Sequence, residues 1–489
     1  MVKPLNKTIL GLTLALASAG LLILSFSSIP CGLLIWISFV PMIIGQYCLL
    51  PQKIASLSPA IAIGLWLGIL LIPIFGGKSS FMAALPLAAG AIVYLTDRGK
   101  RSFHQKTGFR WFVLEGVAGW VGLEMIRSLI PAIGTWLFVG YPLWRYPALL
   151  QPLSIFGIYG LDLLIMGCNY AIGLAAIWWI DQRQKNQQPL VSPKTVGRSA
   201  GAVGGLLLAW LFISLGMVSQ RPGDELMVRA AAIQPNLPRA AHRDDQYSSR
   251  ERIAVLAEMT REASDQGAAL IVWPEMALGF DPRLNYSDEL KQLARETGAY
   301  LVIGYVLEDG AGFRNEAVLL TPAGEFLEPY GKAHPMVTSG EPKSVLAGRY
   351  PVYETGLGKL GIMICFDAHF TDVARALSRQ GAQLIANPAL FGASIASLPH
   401  TQVVFRAIEN RTAIVMADVA YNSAIVDPYG KVVKSVITPE GEEAILVADV
   451  STGGGSTVYA RYGDWLGWVS LVGLLVFGLG MNWYQRKKA

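Results

Sequence analysis

A bundle of about eight membrane-crossing helices carrying one α/β domain outside the membrane is the fold this sequence predicts, on three observations. Hydrophobic residues form 53% of the 489-residue chain and charged residues only 15%, against about 25% charged in soluble domains. The apolar residues come in long blocks: residues 8–52 hold no Asp, Glu, Lys or Arg, and neither do 54–77, 79–96, 163–180, 199–220 and 465–485. Residues 221–464 then change character, with short apolar runs separated by charged stretches.

A helix crosses a bilayer with about 20 apolar residues, so block 8–52 makes two crossings, broken near Ser27-Ser28-Ile29-Pro30. The spans of the membrane domain, residues 1–220, fall at 9–28, 31–50, 59–76, 80–96, 110–130, 152–180 and 201–220. An eighth, 465–484, opens the C-terminal segment 465–489 and runs into the basic tail Arg486-Lys487-Lys488. The basic start (Lys3, Lys7) and Ala-Ser-Ala at 17–19 also fit a cleaved signal peptide, but the second span follows almost at once and favours a retained helix.

Basic residues cluster in loop 97–110 (Arg98, Lys100, Arg101, Lys106, Arg110), in loop 181–198 (Arg183, Lys185, Lys194, Arg198) and in the tail. Positive loops stay in the cytoplasm. Eight crossings then leave both termini cytoplasmic and residues 221–464 on the extracytoplasmic face. The net charge of +5 reflects these anchoring loops and not a nucleic-acid footprint. Within span 110–130, Glu124 and Arg127 lie three apart and would be costly facing lipid. They pair inside the bundle or line its mouth.

In 221–464 the runs 226–233, 269–273, 300–306, 317–320, 359–364, 383–386, 413–417 and 444–450 read as strands. The stretches 250–266, 288–297, 370–379 and 402–410 read as amphipathic helices. Their alternation predicts an α/β domain. Cys31, Cys48 and Cys168 fall in membrane spans, which leaves Cys365 the one cysteine of the external domain. It ends the strand-like run "LGKLGIMICFD". An inert packing thiol is the ordinary reading of such a residue. A nucleophile needs a base and a cation close by, and the chain has both at comparable places. Glu275 follows the buried run "LIVWP", and Lys332 follows "EPYG". Taken singly, Glu275 reads as a solvated turn carboxylate and Lys332 as a surface lysine. Their order with Cys365 is far less expected by chance.

In that order and with those flanks, Glu275, Lys332 and Cys365 resemble the Glu-Lys-Cys triad of the nitrilase, or carbon–nitrogen hydrolase, superfamily. The resemblance covers the external domain and implies its αββα sandwich. The layout of spans, domain and last span resembles that superfamily's membrane branch, the apolipoprotein N-acyltransferases, as do "GLEMIRS" (122–128), "GIYGLDLLIMGCNYAIGL" (157–174) and "TVYARYGDWLGW" (457–468). The resemblance implies Glu275 as general base, Cys365 as the acylated nucleophile, and Lys332 with the N–H of Phe366 as oxyanion donors. Glu341 and Asp367 resemble acids that orient the lysine and cysteine loops; loop solvation explains them as well. Arg406 and Glu409 resemble the family's Arg-Ala-x-Glu, and an ion pair within one helix explains them equally.

Four departures from the family stand out. Cys-Phe-Asp replaces Cys-Tyr-Glu, and Glu341 comes one residue late after Lys332. Residues 234–246 lack a tryptophan after Gln-x-Asn, and 387–392 lack the Asp and Trp usual in that loop. The leading expectation is a monomeric inner-membrane transacylase that moves a fatty acyl chain from a phospholipid to a diacylated lipoprotein. A membrane-anchored amidase or esterase with water as acceptor comes second, and a ligand-binding transporter or sensor third. No cofactor or metal is expected, because the five histidines have no ligand-like spacing.

Overall fold

Uncharged blocks in lipid become helices because only a helix satisfies its own backbone N–H and C=O groups there. The computed structural model describes residues 4–486 apart from 75–79, 184–189, 221–225, 239, 241–247, 310–311, 396–399 and 455–456. Lys3, Lys185, Lys487 and Lys488 of the basic stretches, and most of loop 234–246, lie outside the described residues. The N-terminal half runs as α1 (Pro4–Ser25), α2 (Val40–Ile44), α3 (Leu57–Ile74), α4 (Ser80–Asp97), α5 (Lys100–Lys106), α6 (Phe112–Ser128), α7 (Leu153–Arg183) and α8 (Pro193–Ser219).

Among the described residues, five stretches are long and apolar enough to cross a membrane: Leu5–Ser25, Gly32–Leu49, Gln52–Leu71, Leu153–Arg183 and Pro193–Ser219. The expected spans 80–96, 110–130 and 465–484 are helical too. However, α6 carries Glu115, Glu124 and Arg127, and in the last helix the described residues give the shorter apolar stretch Trp465–Met481. Span 31–50 is not one α-helix. A 3-10 helix (Gly32–Trp36), α2 and a π-helical turn (Gly45–Leu49) follow one another, and Pro41, which has no N–H to donate, sits at the restart. The basic loop 97–110 contains the short helix α5.

The charged groups of α6 face inward. Glu115 pairs with Lys100 at 2.9 Å and His104 at 3.2 Å, and Glu124 lies 3.7 Å from Arg127 and accepts from Trp120 Nε1 at 2.9 Å. Helix α7 is bent at Gly157, whose φ is +63°. A Cβ there would lie 2.4 Å from the ring of Tyr459, so only glycine fits.

The C-terminal half runs as β1 (Met227–Gln234), α9 (Ser249–Asp265), β2 (Leu270–Val272), α10 (Ser287–Thr297), β3 (Tyr300–Asp309), β4 (Gly312–Leu320), β5 (Tyr330–Gly331), β6 (Val352–Thr355), β7 (Gly358–Ile362), α11 (Asp372–Arg379), β8 (Leu384–Ala389), α12 (His400–Asn410), β9 (Ala413–Asp418), β10 (Asn422–Val426), β11 (Val432–Ile437) and β12 (Ala444–Ser451). Short helix α13 (Val458–Tyr462) leads into α14 (Trp465–Arg486). Two sheets form, ordered β12-β1-β2-β3-β4-β5 and β11-β10-β9-β8-β7-β6. Each has three parallel central strands, β1-β2-β3 and β7-β8-β9, between antiparallel neighbours.

Both faces of each sheet are covered, which is why the strands read as unbroken apolar runs. In β1, Ala230 and Ala232 share a core with Ile362, Leu384 and Val415 of the other sheet, whereas Ala231 and Ile233 pack with Leu256 of α9 and Leu293 of α10. The result is an αββα sandwich. Its α11–α12 side sits on the membrane bundle: α12 touches α7, and the ring of Phe405 meets Tyr141 edge-on at 4.8 Å.

Candidate active site

Three loops at strand ends converge between the sheets. Pro274 ends the β2 run, and Glu275 follows, its N–H donating to Ala389 O at 3.3 Å across the sandwich. The turn is tight, with Met276 at φ +52°. Lys332 directly follows β5, its N–H held by Asn315 O of β4 at 2.9 Å. Gly331 before it passes so close to Leu346 that a Cβ would meet that side chain at 2.6 Å. Cys365 lies beyond the end of β7 at φ +48°, and its N–H donates to Asn387 Oδ1 of β8 at 3.2 Å. A left-handed non-glycine residue costs of order 1–3 kcal/mol and persists where the surroundings over-determine it.

The side chains meet. Lys332 Nζ donates to Glu275 Oε1 at 2.8 Å and to Glu341 Oε2 at 2.8 Å. Asn315 Nδ2 bridges the same two carboxylates, at 2.6 Å to Glu275 Oε1 and 2.7 Å to Glu341 Oε1. Both donors to Glu275 land on Oε1. The Cys365 thiol donates to Leu390 O at 3.6 Å and lies within reach of the charges of Glu275 and Lys332. Glu275, Lys332 and Cys365 are each 3% exposed or less. Burial, and then the Glu275 charge, push the Cys365 thiol well above its ordinary range, against the pull of Lys332. Burial alone would lower Lys332, but Glu275, Cys365 and Glu341 outweigh it and hold the ammonium charged. A neutral thiol, a carboxylate that can take its proton and a fixed cation are together suited to nucleophilic attack on a carbonyl.

The expected supporting residues divide into two groups. Glu341 belongs to the cluster despite its late position: a 3-10 turn (Val337–Ser339) and Gly340 at φ +79° absorb the extra residue, and Met336 N also donates to it at 2.8 Å. Asp367 ties the cysteine and lysine loops together. It accepts from Ile364 N at 2.8 Å, Ala333 N at 3.1 Å, His334 N at 2.8 Å and Tyr330 Oη at 2.6 Å. Burial still pushes its carboxyl up to about 6. The ring of Phe366 is buried against His369 and Phe370. Arg406 and Glu409 do not join the cluster. They form a fully buried pair at 2.9 Å, and Glu409 Oε1 accepts the N–H of Ile158 at 3.0 Å, one residue past the Gly157 bend. They dock the sandwich on the bundle.

Sequence reasoning missed Asn315, Asn387 and a strut from the membrane half. The signal for Asn315 was a polar pair, Asn315-Glu316, inside an apolar strand, which is costly without partners. The strut is segment 133–136. Thr135 N and Oγ1 both donate to His369 O, at 2.9 and 2.7 Å, and Trp136 stacks on the His369 ring at 4.5 Å. His369 in turn lies 4.9 Å from the ring of Phe366. A chain of contacts therefore runs from the membrane bundle to the residue after Cys365.

This sandwich, with a lysine, two carboxylates and a cysteine at its strand ends, is that of a carbon–nitrogen hydrolase: residues 229–458 match the family described as carbon–nitrogen hydrolase. Residues 18–171 match the apolipoprotein N-acyltransferase N-terminal domain. An apolipoprotein N-acyltransferase of Geobacter metallireducens is 29% identical over 95% of this chain and 94% of its own. Another, of Photobacterium profundum, is 26% identical over 79% of this chain and 75% of its own. A nitrilase of Pyrococcus abyssi is 32% identical over 46% of this chain and 90% of its own. The two matched segments and the end-to-end relative place the chain in the apolipoprotein N-acyltransferase family, as a multi-pass inner-membrane acyltransferase of lipoprotein maturation.

Proposed function

We propose that the chain takes a fatty acyl group from a phospholipid as a thioester on Cys365 and passes it to the α-amino group of a diacylglyceryl-cysteine lipoprotein. The observation that carries this reading is the buried Glu275–Lys332 ion pair beside the buried Cys365 thiol, in a domain seated directly on the membrane bundle. Glu275 takes the thiol proton as sulfur attacks the ester carbonyl. Lys332 and the Phe366 N–H stabilise the oxyanion, a contribution of about 3–4 kcal/mol per donor removed in comparable sites. Collapse expels the lysophospholipid alkoxide, which takes the proton from Glu275, and the acyl group stays on sulfur. The free amine then attacks the thioester and gives its proton to Glu275. The thiolate leaves and recovers that proton. Arg406 and Glu409 hold the sandwich against the bundle, so that substrates anchored in the bilayer meet the cysteine.

In this reading the chain works as a monomer of eight spans: the membrane domain 1–220, the catalytic domain 221–464 on the periplasmic face, and the last helix with its cytoplasmic tail, 465–489. The similarity to a nitrilase over the sandwich alone favours a second reading, with water as acceptor. One experiment separates the two. Purified protein is given phospholipid labelled in its acyl chain, with and without a diacylated lipopeptide. Label should pass to the peptide nitrogen, and Cys365→Ala, Glu275→Gln and Lys332→Ala should each abolish transfer while the protein stays folded. Peptide-independent release of free fatty acid supports the hydrolase, and transfer by Cys365→Ala removes the nucleophile assignment.

A further inference from the structure

Helix α8 is fastened to the bundle near its C-terminal end. There Trp210 Nε1 donates to Leu149 O at 2.7 Å and Ser214 Oγ to Ala148 O. Toward its start its glycine face is open: a side chain at Gly197, Gly201, Gly204 or Gly205 would meet nothing within 4 Å. Between α8 and helices α6, α7 and α14 lies a cavity of about 580 Å³. Its walls are apolar, with Val117, Leu163, Leu164, Val203 and Leu206 among them. Phe156 closes the end nearer the catalytic sandwich, between the rings of Trp210 at 5.9 Å and Trp465 at 6.3 Å.

The cavity's other end, away from the sandwich, carries Arg110 and Arg198. Arg110 comes from the turn before α6 and Arg198 from the start of α8, far apart in sequence, yet they border one opening. No acidic side chain is among the lining residues, and no ion pair among the described residues engages either guanidinium. Arg110 only rests over the ring of Trp111, at 5.5 Å. Within the same basic stretch, 97–110, Lys100 differs, being bound to Glu115 at 2.9 Å. The α8 wall from Arg198 to Ile213 rises about 22 Å, most of a hydrocarbon core of about 30 Å. An apolar slot along the bilayer normal, with two unneutralised arginines at the headgroup end, has the shape and charge of one lipid.

We propose that this cavity is a binding site for an anionic phospholipid of the bilayer, with an acyl chain between α8 and α6–α7 and its phosphate at Arg110 and Arg198. The chain supplies the packing contacts that α8 lacks, which is what holds helices together where lipid removes the hydrophobic drive. The guanidiniums bind phosphate with paired N–H donors. A zwitterionic lipid fills the slot too, but its cationic group lies beside two arginines with no acid to meet it. The site is distinct from Cys365, which lies in the sandwich just beyond β7 and is not among the lining residues, and the inference does not rest on the acyl-transfer reading.

The test uses the full-length protein, stripped of lipid in detergent, and dialkyl-ether lipids that have no acyl ester to transfer. Native mass spectrometry compares ether phosphatidylglycerol with ether phosphatidylcholine of the same chains. Wild type should retain one phosphatidylglycerol in roughly tenfold preference, the scale that one to two basic residues confer near a membrane surface. Arg110→Gln with Arg198→Gln should erase the preference. Ala202→Phe, which fills the slot and keeps both arginines, should lower retention of both lipids. Each variant's thermal unfolding in the same detergent reports that it is folded. Equal retention of the two lipids by wild type overturns the proposal. So does a preference that survives in the arginine variant. Undiminished retention by Ala202→Phe also overturns it, because the headgroup then adsorbs at the surface with no chain in the slot.

Discussion

Glycine 304 decides where Glu275 sits, and replacing it with alanine tests how tightly the cluster is positioned. In β3 the carbonyl of Pro274 crosses directly over Gly304. A Cβ at 304 would lie 2.2 Å from Pro274 O, 3.0 Å from Pro274 C and 3.1 Å from Glu275 Cα. These are backbone atoms, so no side-chain rotation relieves the clash. A carbon–oxygen contact relaxes at about 3.3 Å, so the Pro274–Glu275 turn must retreat by about 1 Å. The Lys332 contact to Glu275, now 2.8 Å, would then pass the ~3.2 Å limit of a good N–H···O bond. A displacement of about 1 Å at a reacting group costs roughly 10²-fold in rate, and the overpacking adds about 1–3 kcal/mol of destabilisation. The assay is the initial rate of acyl transfer to a diacylated lipopeptide, with thermal unfolding followed in the same micelles. Gly356→Ala is the control, since its nearest contact, Tyr300 Oη, is at 3.6 Å. A Gly304→Ala enzyme within about threefold of wild type would refute the reasoning, because such a ratio is under 1 kcal/mol.

Three further outcomes are expected. Thr135→Val removes one of two hydrogen bonds onto His369 O, a change of about 1 kcal/mol. It should slow acylation of Cys365 several-fold at unchanged KM, and Thr135→Ser should restore the rate; a rise in KM alone contradicts the strut. Burial, Arg406 and Lys332 depress His369 from 6.5 to about 3. The unfolded chain therefore takes a proton that the folded one refuses, and this contribution to stability is present above pH 6.5 and lost as pH falls toward 3. His369→Gln should flatten the fall in unfolding temperature between pH 6.5 and 5, a difference of about 1.4 kcal/mol per pH unit at most; parallel pH profiles would exclude it. Protease or thiol probes should reach residues 221–464 only from the periplasmic side, and cytoplasmic access near Asp309 would sink the eight-span orientation.

The fold was legible where one physical constraint dominates. Uncharged blocks as long as 199–220 have no other stable form in lipid, and strands buried on both faces, such as β2 and β9, announce themselves as apolar runs. The strands that escaped notice lack that signal in the sequence. β5 has two residues, β6 and β11 are edge strands with partly exposed side chains, and β10, though buried throughout, begins with the polar Asn422 and Ser423. Span 31–50 was legible in length but not in form, since composition does not reveal that Pro41 splits it. At the site, the order of Glu275, Lys332 and Cys365 was readable because each follows a strand end. Asn315 was not, because its partners lie 26 and 40 residues away. Thr135 was still less visible, because its contact to His369 spans 234 residues and joins the membrane half to the sandwich. For Arg406 and Glu409 the pairing was foreseen, but the docking onto Ile158 depends on the Gly157 bend, which no local pattern predicts.

The central claim is that Cys365 carries the acyl group between two substrates that share one site. Intact-mass spectrometry of the enzyme after single-turnover exposure to phospholipid tests it most directly. The account predicts a gain of one acyl mass on Cys365 that survives for minutes, disappears when a diacylated peptide with a free amine is added, and persists with the N-acetylated peptide. No adduct on wild type, an adduct that also forms on Cys365→Ala, or loss as free fatty acid at a rate indifferent to the peptide would contradict it.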